Sequence, residues 1–118
     1  MDAWERMTSL NYFSAVRACH IMMPRMIARG SGHIVNTASF AGLYPFASSR
    51  IPYAAAKAAL VSYSQNLAIH LEPQGVKVSC FCPGPVMTGV ADKMKTYTEG
   101  AVRPLTAPIL AMCRFLTN

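Results

Sequence analysis

Residues 33–37 (His-Ile-Val-Asn-Thr) and 76–82 (Val-Lys-Val-Ser-Cys-Phe-Cys) are short runs rich in β-branched residues. Each follows a longer stretch whose apolar residues recur at steps of three or four. That order of helix, strand, helix, strand restricts the fold more than any other feature. Two strands joined by a crossover helix pair in parallel through a right-handed connection, as one piece of a doubly wound α/β sheet. The first helical stretch, residues 4–29, carries Trp4, Met7, Leu10, Phe13, Val16, Met23 and Ile27 on its periodic face. Arg25 and Arg29 suit its negative end, Gly30 suits its stop, and Pro24 predicts a kink or a tightened last turn. The second stretch, residues 53–71, opens behind Pro52, repeats Leu60, Val61, Ser64, Leu67 and Ala68, and ends at Pro73 and Gly75. A turn-rich loop occupies residues 39–51, and Pro83-Gly84-Pro85 stops the second strand. Beyond Thr88 the pattern fades: residues 93–100 read as loop or frayed helix, and 105–116 are apolar but broken by Pro108. The organisation expected is one unit over 1–88 followed by an irregular or partly helical segment over 89–118.

Composition excludes several classes. Charged residues make up 14% of the 118, against about 25% in an ordinary soluble domain, and 53% are hydrophobic, so much of the chain must be buried. The +6 net charge is spread from Arg6 to Arg114 without a basic run, which argues against nucleic acid as a partner. No apolar stretch is long enough to cross a bilayer, and residues 1–6 lack the layout of a signal peptide, so a soluble cytoplasmic protein is expected. Cys19, Cys80, Cys82 and Cys113 form no Cys-x-x-Cys and have no histidine at zinc-finger spacing; no metal site and reduced thiols are expected.

Tyr53 and Lys57 stand four residues apart at the start of the second helix, which puts their side chains on one face with Cβ atoms about 5–6 Å apart. An ammonium group and the positive end of a helix both favour a phenolate, so the pair suits acid–base work. With five tyrosines and four lysines in the chain, chance yields such a pair in roughly one chain in six, and the spacing alone is a weak signal.

Its company makes it specific. Gly32-His33-Ile34-Val35-Asn36-Thr37-Ala38-Ser39-Phe40-Ala41-Gly42, then Tyr53-Ala54-Ala55-Ala56-Lys57, then Pro83-Gly84-Pro85-Val86-Met87-Thr88 resemble three motifs of the short-chain dehydrogenase/reductase family in family order, across about three quarters of the chain. The resemblance implies an NAD(P)-dependent oxidoreductase that interconverts a secondary alcohol and a ketone. Ser39 would then hydrogen-bond the reacting oxygen, and Tyr53 would pass the proton. Lys57 would hold the nicotinamide ribose and act on Tyr53, while Asn11 would hold a water of the proton relay. Pro83 and Gly84 would lie near the nicotinamide, with the Val86 backbone on its carboxamide and Thr88 on the carboxamide or pyrophosphate. Phe40, Tyr44 and Phe46 would flank an apolar substrate.

The departures are equally informative. The family's glycine-rich phosphate turn, its ribose selector and its Asn-Ala-Gly motif do not occur in these 118 residues; Gly30 and Gly32 precede a strand and cannot cradle a pyrophosphate on a helix N-terminus. The expectation is a partial Rossmann-like fold, with two parallel strands, two long helices and the N-terminal half of the family's sheet missing. It would meet only the nicotinamide end of NAD or NADP. The other face of the strands should be bare, and a homo-oligomer through the two long helices is expected. The alternative is a catalytically silent interaction or dimerisation protein pairing through the stripe Leu60, Ser64, Leu67 and Leu71.

Overall fold

The computed structural model describes residues 1–45 and 47–85. Helix α1 (Asp2–Thr8) runs through a π-helical segment (Ser9–Phe13) into α2 (Ser14–Arg29). Strand β1 (Gly32–Thr37) follows, then 3-10 turns at Phe40–Gly42 and Ser48–Arg50, helix α3 (Ile51–Leu71), a 3-10 turn at Glu72–Gln74, and strand β2 (Val76–Phe81). The strands pair in parallel, with Gly32 opposite Val76 and Thr37 opposite Phe81. The α/β order expected from the sequence is therefore the order found. The segment 89–118, and with it Val86, Thr88 and Cys113, lies outside the described residues, as does Phe46.

The ends of the elements follow from local chemistry. Gly30 turns left-handed at φ 67°, its N–H reaching the Ile27 carbonyl (3.0 Å) while Ser31 N–H reaches that of Met26 (3.2 Å). These two bonds close the last turn of α2 as a Schellman motif. The helix runs through Pro24 to Arg29, and His20, whose carbonyl loses a partner to the proline, is exposed to water. The irregularity of this long helical stretch lies instead at Ser9–Phe13, where one residue is added to the turn. Gly75 also turns left-handed, at φ 75°, and a Cβ there would stand 2.2 Å from the Gly30 carbonyl oxygen. The two helix ends pack against each other at the entry to the strands.

Alternation along the strands puts Ile34, Asn36, Val76, Val78 and Cys80 toward the helices. Cys19, Ile34, Leu67, Leu71 and Val76 form one buried cluster, and Ala38, Leu60 and Val61 form a second. Burying each such leucine is worth about 1.5–3 kcal/mol. A polar thread crosses the core. The buried Asn36 amide donates to Ser64 Oγ (3.0 Å), Ser64 donates to the Leu60 carbonyl (2.7 Å), and Cys19 Sγ lies 3.7 Å from Asn36 Oδ1. The opposite sheet face is exposed and mixed in character, with Val35 and Phe81 beside His33, Lys77 and Ser79.

One expectation is corrected here. Leu60, Ser64, Leu67 and Leu71 do not form a free pairing stripe, since all four are buried under the sheet of their own chain, at 1–9% exposure. The stripe is the core face of α3, because the strands claim the apolar side of the helix nearest them in sequence.

Candidate active site

The C-terminal ends of the strands are joined beyond the regular ladder. Ala38 N–H donates to the Phe81 carbonyl (2.8 Å) and Phe40 N–H to the Pro83 carbonyl (3.0 Å), so the chain leaving β1 and the Pro83-Gly84 turn leaving β2 are held side by side. Open α/β sheets bind their ligands at this edge. Ser39 sits there in extended conformation and caps the Phe40–Gly42 turn, its Oγ accepting the Ala41 N–H at 3.2 Å. A hydroxyl that accepts one bond keeps its own proton to donate, so capping and ligand contact are compatible.

Gly42 sets the distance from this turn to α3. A Cβ on it would meet the Lys57 carbonyl carbon at 2.6 Å and Ala58 N at 2.7 Å. Only a residue without a side chain allows that approach. Tyr53 and Lys57 lie in the first two turns of α3, both half-buried, with the Lys57 ammonium 5.8 Å from the centre of the Tyr53 ring. Lys57 Nζ also donates to the Thr37 carbonyl at 2.9 Å, spanning from α3 to the end of β1. Burial pushes the Lys57 amine below the usual lysine range, opposed by the neighbouring thiols of Cys80 and Cys82. Burial and Cys80 push the Cys82 thiol up, against the Ser39 backbone N–H and Lys57.

Ser39, Tyr53, Lys57 and the Pro83-Gly84 turn thus gather at one edge of the sheet. Asn11 belongs to the π-helical segment, and its amide turns back along the helix to the Met7 carbonyl (3.1 Å) and sulfur (3.7 Å). Among the described contacts, none joins it to the other three. Its segment is anchored on α3 through Tyr12, which meets the Tyr63 ring edge-on at 6.1 Å between centroids. Phe40 is buried and stacks on the exposed Tyr44 at 4.6 Å, so Phe40 serves packing and only Tyr44 of the two faces outward.

Sequence reasoning missed Gly42, the Thr37 carbonyl and the two thiols near Lys57. None has a local signal: each matters through an element distant in the chain. A concavity of about 550 Å³ among the described residues is lined by residues such as His33, Glu72, Lys77 and Ser79 and by none of the gathered trio. Geometry and chemical type, rather than cavity size, locate the candidate site. Among the described residues no helix is long and apolar enough to cross a membrane.

Comparison with known proteins agrees with the α/β fold. The family model described as short chain dehydrogenase matches residues 1–98. The uncharacterized oxidoreductase YvrD of Bacillus subtilis is 39% identical over 103 residues, which cover 86% of this chain and 37% of that protein. The rabbit (Oryctolagus cuniculus) dehydrogenase/reductase SDR family member 4 is 34% identical over 107 residues, covering 88% and 41%. A solved short-chain dehydrogenase from Streptomyces avermitilis superposes with a TM-score of 0.67 at 32% identity, over 96% of this chain and 41% of that one. The chain spans about two fifths of the length of these relatives, and its two parallel strands and long helices are part of their Rossmann-like architecture. With the family model covering most of the sequence, the chain belongs to the short chain dehydrogenase family.

Proposed function

We propose that this chain carries the catalytic side of an NAD(P)-dependent oxidoreductase that interconverts a secondary alcohol and a ketone. The observation that carries the reading is the gathering of Ser39, Tyr53 and Lys57 at the C-terminal edge of two parallel strands, held there by the close approach of Gly42 to the Lys57 backbone. Ser39 donates a hydrogen bond to the substrate oxygen. Tyr53 moves the proton to or from that oxygen, and the Lys57 ammonium stabilises negative charge as it develops on the phenol. Asn11 is the fourth member of the set, as a holder of water on the relay.

The residues fit one end of the cofactor. An ammonium and a phenol beside the Pro83-Gly84 turn suit the hydroxyls of a nicotinamide ribose and the adjoining carboxamide, and Val86 and Thr88 follow that turn in sequence. Among the described residues the left-handed glycines, Gly30 and Gly75, end helices ahead of strands, so neither opens a helix N-terminus toward a pyrophosphate. When bound, the dinucleotide supplies the hydride acceptor or donor. A related metagenomic short-chain oxidoreductase of 32% identity and TM-score 0.62 was solved in complex with NADP. The exposed Tyr44 ring favours an apolar substrate.

The test is NAD(P)H-linked turnover of a panel of secondary alcohols and ketones by the protein and its Tyr53→Phe variant. The substitution should lower kcat by about 10²- to 10⁴-fold with the fold intact. Undiminished turnover in Tyr53→Phe refutes the mechanism. A second reading, an interaction protein pairing through its long helices, is favoured by exposed Leu10, Phe13, Ile21 and Ile69. Light scattering that finds only a monomer dismisses it.

A further inference from the structure

Asn36 points from β1 into the core, where its amide meets both long helices. Its Nδ2 donates to Ser64 Oγ of α3 at 3.0 Å, and its Oδ1 lies 3.7 Å from Cys19 Sγ of α2. All three residues are buried, and Asn36 and Ser64 are the polar side chains buried among the described residues. The proposed catalytic set is mounted on these same elements, with Asn11 in the helical stretch that continues as α2, Ser39 just beyond β1, and Tyr53 and Lys57 on α3. We propose that Asn36 is the positioning residue of that set, a buried amide that fixes how the two helices sit on the strand and hence where the four side chains stand. The inference rests on the oxidoreductase reading above.

These bonds have a direction that the surrounding packing lacks. Ser64 gives its one proton to the Leu60 carbonyl (2.7 Å), so its oxygen can only accept from Asn36. The amide must therefore turn its nitrogen to α3 and its oxygen to the Cys19 thiol, a weak donor. Apolar burial is non-directional. The covered face of α3 carries Ala56, Leu60, Val61, Leu67 and Leu71, and a small slide or roll exchanges one for another. The same movement takes the acceptor from a buried amide that water does not reach. On α2, Cys19 is the one buried residue, so the thiol facing Asn36 is also where that helix sits deepest.

Leverage gives the amide its effect on the site. Asn11 precedes Cys19 by eight residues and Lys57 precedes Ser64 by seven, about 12 Å and about 10 Å along their helices. Ser39 is three residues past Asn36, about 10 Å of extended chain. A tilt of about 5° at the amide moves a group about 12 Å away by about 1 Å, and a misplacement of that size costs about 100-fold in turnover.

The experiment compares the parent with three variants. Asn36→Leu with Ser64→Ala removes both polar partners together and leaves an apolar core, Cys19→Ala removes the α2 contact alone, and Leu67→Val is a core control outside the hydrogen bonds. Amide NMR shifts are read at Asn11, Ser39 and Lys57, together with kcat and KM for NAD(P)H-linked turnover. In the double variant all three amides should move, and kcat should fall about 100-fold with KM nearly unchanged. Cys19→Ala should move Asn11 and leave Ser39 and Lys57 in place, a selectivity that general loosening of the core does not produce. Leu67→Val should leave the three amides and kcat as they are. Unmoved amides in the double variant, the same shifts in Leu67→Val, or no selective movement of Asn11 in Cys19→Ala overturns the assignment. So does parental kcat in the double variant when Tyr53→Phe has lost turnover. A parent without turnover refutes the oxidoreductase reading, and the amide shifts still decide the role of Asn36. Should the double variant not fold, Cys19→Ala decides it.

Discussion

Gly42→Ala isolates the contact that sets the candidate site. Gly42 is not among the left-handed glycines, so an added methyl changes packing rather than backbone preference. The new carbon would stand 2.6 Å from the Lys57 carbonyl carbon and 2.8 Å from its oxygen, all main-chain atoms that no side-chain rotation can move. Ordinary carbon contact begins near about 3.5 Å, so the turn and α3 must part by about 0.9 Å. Overpacking of this kind costs about 1–3 kcal/mol. For a chain of this size that lowers Tm by about 4 °C at the small end and by about 12 °C at the large end. The displacement should be local, and amide NMR should show it at Ser39, Phe40, Lys57 and Ala58. Gly30→Ala is the control: it has open space around its Cβ but a φ of +67°, so it strains the end of α2 and leaves those amides where they are. Under the function proposed above, moving Ser39 by about 1 Å costs about 100-fold in turnover. Equal stability of Gly42→Ala and the parent, with unmoved Lys57 and Ser39 amides, would refute the account of the site.

Two further outcomes follow from the core. Ser64→Ala leaves the buried Asn36 amide without its acceptor and should cost about 1–3 kcal/mol in urea unfolding. The double variant Asn36→Leu with Ser64→Ala should recover part of that loss, and an unchanged midpoint for Ser64→Ala contradicts the role given to the thread. Tyr63 has its phenol pushed up to about 12, chiefly by burial and then by Cys19 and Tyr12. Its folded value lies above the unfolded value of about 10. Its stabilising effect is therefore complete below pH about 10 and is lost as pH rises through about 12. Tyr63→Phe should unfold less steeply than the parent across that window, and identical alkaline unfolding curves would exclude the coupling.

Much of the site was legible because it is local. Tyr53 and Lys57 share a face through the pitch of one helix, and Ser39 follows directly on a strand whose limits small residues mark. Helix ends at Gly30 and Gly75 were readable for the same reason, since a left-handed turn is a property of one residue. The disturbance near Asn11 was not readable, because Pro24 is the visible breaker and the π-helical turn has no comparable residue to announce it. The stripe on α3 misled because periodicity identifies an apolar face without naming what covers it.

By itself, the sequence determined the order of elements, their parallel pairing and the identity of the side chains at the candidate site. These depend on backbone periods and on neighbours a few residues apart. Only the tertiary structure decided that Gly42 lets the Ser39 turn rest on the Lys57 backbone, that Lys57 reaches the Thr37 carbonyl twenty residues away in sequence, and that Cys80 and Cys82 come to stand beside that lysine. Those relations are distances between elements. They are fixed by how the side chains between helix and sheet fill space, a quantity that no single segment of the chain contains.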